Sequence, residues 1–152
     1  MSKKRKIFVI IMAVVTALTL GFILINSIIP PKKSAQSSAG LYESFKPVFD
    51  FIFGVDKFTH THFRQTAHFV EYFVLGIEVA LLYMGAFDMK KQSLFSMFSA
   101  GLYVAVLDES LQIISGRGPE VVDVLTDYAG YLLAVVCCFL IFYLIKNRKR
   151  KN

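Results

Sequence analysis

Polar and charged side chains interrupt three otherwise apolar stretches of the sequence, and residues of these types can bind charged groups or transfer protons. In chain order they are Arg64, His68, Glu71 and Tyr72; then Asp108, Glu109 and Gln112; then Asp123 and Asp127, which Gly130 follows. Within each set every member stands three or four positions from another member, so each set forms one stripe on a helix.

Depth along the helices predicts that the three stripes meet. At 1.5 Å per residue, Glu71, Asp108 and Asp127 each lie about 10–12 Å from the same end of their helices. If the stripes face inward, they form one polar cavity at that end, capped by Arg117 in the turn between the second and third stretches.

Ionisable side chains inside membrane helices are rare and costly, so each is by default a candidate for function. The alternative is that interhelical ion pairs only stabilise the bundle, which explains a single residue equally well. It explains the whole set less well, because helix packing in lipid is served by small and apolar residues.

Composition and segment length indicate the elements that position these residues. The 152-residue chain is 55% hydrophobic and only 18% charged. Apolar stretches cover residues 7–29, 64–87, 92–115 and 119–145, and each reaches the ~20 residues that a helix needs to cross a bilayer. The sequence therefore predicts an all-α protein, a four-helix transmembrane bundle. The first stretch is longer than the ~7–15 residues of a signal-peptide core, which favours a retained anchor.

The connection between the first two spans, residues 31–63, is predicted to stay outside the membrane. Pro30 and Pro31 end the first helix, and residues 32–40 are polar, small and expected to be mobile. Apolar residues then recur at helical spacing over 41–52, which predicts an extracytoplasmic amphipathic helix on the membrane surface, kinked near Pro47. A short helix packed on the bundle is the alternative.

Basic residues give the orientation. Eleven of the 17 Lys and Arg residues fall in the two chain ends and the loop at 88–91. The positive-inside rule then predicts a multi-pass protein of the cell membrane, with both termini cytoplasmic and the cavity facing outside. Because the basic runs flank membrane spans, they indicate anionic lipid rather than nucleic acid as their partner.

These segments predict four parts: an anchor at 1–30, a linker and interfacial helix at 31–63, a three-helix core at 64–145 and a basic tail at 146–152. Near the second span, His60, His62, His68 and Asp56 are residue types that could bind a metal ion. Histidines in loops are usually solvated, so neither a metal nor another cofactor is predicted. Adjacent Cys137 and Cys138 face different directions on a helix and are expected to be packing residues.

The three polar sets resemble the VanZ-like family of bacterial integral membrane proteins. The matching blocks are Arg64-Gln-Thr-Ala-His68-Phe-Val-Glu71-Tyr72, Asp108-Glu109-Ser-Leu-Gln112, Gly116-Arg117-Gly-Pro-Glu-Val-Val-Asp123 and Asp127-Tyr-Ala-Gly130. They occur in the family's order within residues 40–145, leaving the first span and the tail outside. The family often has Asn where this chain has Asp127.

The resemblance implies a membrane protein whose relatives are sometimes linked to lower susceptibility to lipid-bearing glycopeptides such as teicoplanin. Some members carry a phosphotransbutyrylase label, which nothing in this sequence supports. Three functions stay open: binding of a membrane lipid or another amphiphile through its headgroup, an enzyme for a lipid-linked envelope substrate, and a small proton- or ion-coupled transporter. Self-association into a homo-oligomer is also left open.

Overall fold

The computed structural model describes residues 2–55, 57–87, 91–118 and 120–151, and their secondary structure is helical. The helices are α1 (Lys3–Ile28), α2 (Pro31–Phe53), α3 (His60–Ala86), α4 (Lys91–Ile114) and α5 (Val121–Lys151). All except α2 are long and apolar enough to cross a membrane. The prediction of an all-α, four-helix transmembrane bundle is confirmed.

The four long helices alternate in direction, with α1 and α4 antiparallel to α3 and α5. Near the start of α1, Arg5 Nε donates to the carbonyl of Gly85 at the end of α3 over 2.6 Å. Near the end of α1, Ser27 donates to Asp108 near the end of α4. One end of the bundle, called here the basic end, therefore holds residues 3–6, 86–87, 91 and 146–151. The opposite end, called the acidic end, holds the three polar sets.

Two glycines let α3 and α5 approach closely. A Cβ atom on Gly76 would lie 2.6 Å from the Tyr131 carbonyl oxygen, and one on Gly130 would collide with the carbonyl oxygen of Phe69. Small residues at such positions increase van der Waals contact between helices in lipid. This close approach sets the register of α3 against α5, and it brings the stripe of α3 beside the stripe of α5.

The helix α2 is longer than predicted. Residues 32–40, expected to be mobile, form its first half, so that expectation is wrong. Pro31 occupies the first helical position, where a missing N–H costs nothing, and the Pro30 carbonyl accepts from the N–H groups of Lys33 and Ser34. The helix then continues through Pro47.

One face of α2 packs on the start of α3. Tyr42 is buried and its hydroxyl donates to the Phe58 carbonyl over 2.7 Å, while Phe49 stacks near Phe58 and Phe63. The apolar side chains of Phe51 and Ile52 stay exposed. The helix therefore combines contact with the bundle and an apolar surface.

Helix boundaries shift from the predicted ones where local capping decides them. α3 begins at His60 rather than near 64, because Thr59 and His62 form a reciprocal capping box. α5 continues through Lys151, so residues predicted as a tail belong to its last turns. The predicted start of this span at Pro119 and the loop residues 88–90 lie outside the described residues.

Candidate functional site

Three ionisable side chains from three helices converge at the acidic end. The ligating atoms of His68 on α3, Asp108 on α4 and Asp127 on α5 all lie within 4.8 Å of one another. Nδ1 of His68 lies 3.9 Å from Oδ1 of Asp127, and both aspartates are only 1% exposed. The predicted convergence of the three stripes is therefore present in the fold.

Two hydroxyl groups hold the carboxylate of Asp108. The fully buried Tyr72 on α3 donates to Oδ2 over 3.1 Å, and Ser27 on α1 donates to Oδ1. Asp127 receives no such support, since its Oδ1 is buried without a hydrogen-bond partner among the described residues. The two neighbouring aspartates thus differ in their hydrogen-bond donors: Asp108 has two, and Oδ1 of Asp127 has none among the described residues.

The remaining pair on α4 fixes the turn into α5. Oε1 of Glu109 accepts the backbone N–H of Glu120 over 2.6 Å, and its Oε2 accepts from the side-chain amide of Gln112 over 2.8 Å. Both side chains are buried. These contacts give Glu109 and Gln112 a structural role, the positioning of the loop.

Arg117 binds the end of α1. Its Nη2 donates to the carbonyls of Asn26, Ser27 and Ile29 over 2.9–3.1 Å. These carbonyls are among those that a helix C-terminus leaves without intrahelical partners, and a cation suits the negative end of the helix dipole. Burial lowers the pKa of Arg117, but arginine stays protonated in proteins.

The turn that carries Arg117 has a defined geometry. Gly116 has a φ of +81°, the N–H of Gly116 bonds the Ile113 carbonyl, and the N–H of Arg117 bonds the Gln112 carbonyl. This is a Schellman motif, in which glycine adopts the left-handed conformation after the last helical residue. The glycine thereby aims the Arg117 side chain at α1.

A cavity of about 330 Å³ lies among α1, α2 and α3. Its polar lining includes Arg64, His68 and Glu71, and its apolar lining includes Phe22 and Leu41. Neither Arg64 nor Glu71 has a hydrogen-bond partner within the described ranges. These two charges are therefore available to a ligand in the cavity.

A second cavity of about 260 Å³ lies on the other side of His68. Arg64, His68 and Arg117 line both cavities, and Asp123 and Gln112 line only the second. His68 therefore forms part of the wall between an amphipathic cavity and a mainly polar one.

All ten residues proposed from the sequence lie at the acidic end, but in different surroundings. His68, Tyr72, Asp108 and Asp127 form the buried group, Arg64 and Glu71 face the first cavity, and Asp123 faces the second. Glu109, Gln112 and Arg117 secure the turn and α1.

Sequence reasoning missed the contributions of α1 and α2 to this region. Ser27 reaches Asp108, and Ser34 and Leu41 line the first cavity. The available signal was a row of polar residues in the first span, where Thr16, Thr19 and Ser27 lie along one side of the helix. Helical spacing in that row indicates an inward face.

His60 and His62, two of the candidate metal ligands in the sequence, each contact a hydroxyl side chain among the described residues. His60 Nε2 is 2.9 Å from Ser38 Oγ, and His62 Nδ1 serves the helix cap at Thr59. Asp56 lies outside the described residues. Within the described part of the chain, the group that could hold an ion is the one containing His68.

Comparison with known proteins agrees with this architecture. The VanZ/LLP1 family matches the chain over residues 8–143. The chain belongs to the VanZ/LLP1 family. The match runs from within α1 to within α5, so it begins earlier in the chain than the blocks at 40–145. It therefore includes the helix that supplies Ser27. No curated protein and no solved structure gives a significant match.

Proposed function

We propose that this VanZ/LLP1 protein binds the headgroup of an amphiphile at the outer face of the cell membrane, and that this binding alters susceptibility to glycopeptides of the teicoplanin type. The observation that carries the proposal is the cavity among α1, α2 and α3, which combines apolar walls with Arg64 and Glu71, two opposite charges that have no hydrogen-bond partner among the described residues.

The chemistry of the lining suits a molecule with a charged head and an apolar chain. The guanidinium of Arg64 is a fork of donors for phosphate or carboxylate, and Glu71 accepts from an ammonium group. Phe22, Leu41 and Phe63 offer the apolar contact that a chain needs. A zwitterionic headgroup satisfies both charges at once.

The helix α2 supports the same proposal by its position. It covers the cavity through Ser34 and Leu41, and it exposes Phe51 and Ile52 on its free side. A helix of this kind lies in the membrane interface, with its apolar side chains in the headgroup and acyl boundary. The cavity mouth would then open at the depth of lipid headgroups.

A binding experiment tests the cavity directly. Purified Arg64→Gln and Glu71→Gln variants in nanodiscs are titrated with labelled teicoplanin and with zwitterionic phosphatidylethanolamine as separate ligands. Loss of a charged hydrogen bond costs about 1.5–3 kcal/mol, so we expect affinity to fall by roughly 10–100-fold. Arg148→Gln at the opposite end and Glu78→Gln on the same helix are controls with matched charge changes.

The same variants are expressed at equal membrane levels in a strain that the intact protein protects from teicoplanin. We expect Arg64→Gln and Glu71→Gln to reduce the minimum inhibitory concentration, and the two controls to retain it. Equal binding and equal protection by all four variants would eliminate the cavity as the functional site.

Orientation has its own test. In a background with Cys137 and Cys138 replaced by serine, a cysteine at the exposed Gln36 of α2 should react with an impermeant maleimide added to whole cells. A cysteine at the exposed Arg148 of α5 should react only after the membrane is opened. The reverse pattern would place the cavity on the cytoplasmic side and contradict a direct encounter with external antibiotic.

A membrane enzyme acting on a lipid-linked envelope substrate is the second candidate. The observation favouring it is that Nδ1 of His68, in the cavity wall, lies 3.9 Å from a carboxylate oxygen of Asp127; rotation of the two side chains to hydrogen-bond distance would orient the imidazole as a general base. Lipid profiles of the deletion strain and of a strain carrying His68→Ala, compared with the parent, decide it. A species that accumulates in both strains supports the enzyme, and identical profiles count against it.

A further inference from the structure

We propose that His68, Asp108 and Asp127 bind one divalent transition-metal ion, of the Zn²⁺ or Mn²⁺ type, at the centre of the acidic end. The proposed ligands are a ring nitrogen of the histidine and one oxygen from each carboxylate. This proposal goes beyond the amphiphile proposal: the site shares His68 with the wall of the cavity among α1, α2 and α3, but Asp108 and Asp127 do not line that cavity.

Geometry supports three ligands around one ion. Bonds of about 2.0–2.2 Å from a metal to nitrogen and oxygen place two ligand atoms at most about 4.4 Å apart. The distance from His68 Nδ1 to Asp127 Oδ1, 3.9 Å, already falls in that range, and every pair in the group lies within 4.8 Å. Small rotations of side chains complete the site.

The ligand types indicate the kind of ion. A single imidazole nitrogen suits first-row transition metals, and carboxylates add charge and suit harder ions. Three protein ligands leave further coordination positions free, as in catalytic rather than structural metal sites. The ion would thus bind with room for water or for a ligand oxygen.

Burial supplies the second, independent observation. Oδ1 of Asp127 and Nδ1 of His68 are both buried without a hydrogen-bond partner among the described residues, and Asp127 is only 1% exposed. Across those same residues, neither aspartate forms an ion pair with Lys or Arg. Unpaired carboxylates inside a membrane bundle are costly, and a divalent cation between them satisfies both the charge and the orphaned atoms.

The surroundings of Asp108 resemble the outer shell of a metal site. Tyr72 and Ser27 each donate a hydroxyl to one of its oxygens, and the donors come from α3 and α1. Partners of this kind orient ligating carboxylates and leave lone pairs for the ion. Their positions on two other helices hold the carboxylate toward Asp127.

An entry path exists through the second cavity. His68 lines it, and Glu120 and Asp123 place acidic groups at the same opening. Arg64 and Arg117 also line this cavity, but the guanidinium of Arg117 is engaged with the carbonyls of α1. A cation can therefore approach His68 along the side of this cavity that Glu120 and Asp123 line.

The test measures metal in the full-length protein. The chain is purified in detergent with an affinity tag that contains no histidine, stripped with EDTA, reloaded with Zn²⁺ or Mn²⁺ and analysed by mass spectrometry of the elements. We expect one ion per chain, and an affinity at least about 10-fold weaker in Asp127→Asn and Asp108→Asn. Glu78→Gln, a buried carboxylate on α3, and His62→Gln, a neighbouring histidine, should keep full affinity.

A spectroscopic arm identifies the ligand without depending on those variants. Mn²⁺ in the intact protein should show pulsed electron paramagnetic resonance coupling to an imidazole nitrogen, which His68→Gln abolishes and His60→Gln retains. Coupling that survives in His68→Gln would overturn the assignment. Metal content in the intact protein no higher than in Asp127→Asn would also overturn it.

Discussion

The two ends of the bundle use the same kinds of contact for different purposes. At the basic end, Arg5 binds a single carbonyl at the end of α3, and nearer the middle of the bundle Thr19 donates to Glu78 over 2.9 Å. At the acidic end, Arg117 binds three carbonyls at the end of α1, and Ser27 donates to Asp108. Each end therefore has an arginine on a helix terminus, and a hydroxyl supports a buried carboxylate both at the acidic end and near the middle of the bundle.

The two regions differ in the number of buried acidic side chains. Among the described residues away from the acidic end, Glu78 is the buried acid, while the acidic end buries Asp108, Glu109 and Asp127 together. One hydrogen-bonded acid is enough to connect two helices, so the extra acids are more than helix packing requires. Comparing matched changes at the two ends separates structural contacts from functional ones.

The largest expected effect is the loss of Arg117. Arg117→Ala leaves three carbonyls of α1 without their charged donor, and hydrogen bonds to charged groups contribute about 1.5–3 kcal/mol. We expect the free energy of unfolding, measured by SDS titration in mixed micelles, to fall by about 3 kcal/mol. Arg5→Ala, with one carbonyl at the basic end, should cost no more than about half of that. Equal losses would mean that α1 is anchored equally at both ends.

Glycine substitutions come next. Gly130→Ala places a Cβ atom against the backbone of Phe69, which cannot move without shifting α3. We expect a loss of roughly 1–3 kcal/mol, the usual cost of overpacking. At the basic end, Gly85→Ala meets the ring of Phe8 at 3.0 Å, a side chain that can rotate. Thermal unfolding of the two variants should rank Gly130→Ala as the less stable, and the opposite order would contradict close packing of α3 on α5.

Removal of single hydroxyls gives the smallest effect. Ser27→Ala leaves one oxygen of the buried Asp108 with no donor from α1, which costs about 1–2 kcal/mol. Thr19→Ala removes the hydroxyl donor from the part-buried hydrogen bond to Glu78 and should cost about 0.5–1 kcal/mol. If Ser27→Ala leaves the free energy of chemical unfolding unchanged, the acidic end tolerates a carboxylate oxygen without a donor. The proposed difference between the two hydroxyl contacts would then be wrong.

Much of the fold could be read from local pattern. The polar sets of residues 64–72, 108–112 and 123–127 predicted three inward stripes, because helical periodicity and the cost of charge in lipid leave few alternatives. Gly116 predicted the turn that follows α4, and its φ of +81° confirms why glycine stands there. Residues 32–40 form the first half of α2 rather than a mobile segment. Polar composition does not exclude a helix here, because Pro31 begins one.

The candidate site could be predicted only in part. Arg117 was expected to cap a cavity, and it lines both cavities, but its hydrogen bonds to the carbonyls of Asn26, Ser27 and Ile29, which are distant in sequence, were not predicted. Backbone carbonyls carry no residue-specific signal, so a pattern of side chains cannot reveal them as partners. Ser27 itself was overlooked because an uncharged hydroxyl in an apolar span does not stand out.

By itself the sequence determined the number of spans, their inward faces and the end of the bundle at which the acids gather, because these follow from periodicity and from the free energy of charge in lipid. Tertiary structure alone decided which of the buried carboxylates receive hydrogen bonds. The close packing of Gly130 on Phe69 and the reach of Ser27 from α1 place Asp108 within reach of two hydroxyls, and Oδ1 of Asp127 faces His68 without a hydrogen-bond partner among the described residues. Such differences depend on distances between helices, which no spacing along one chain segment encodes.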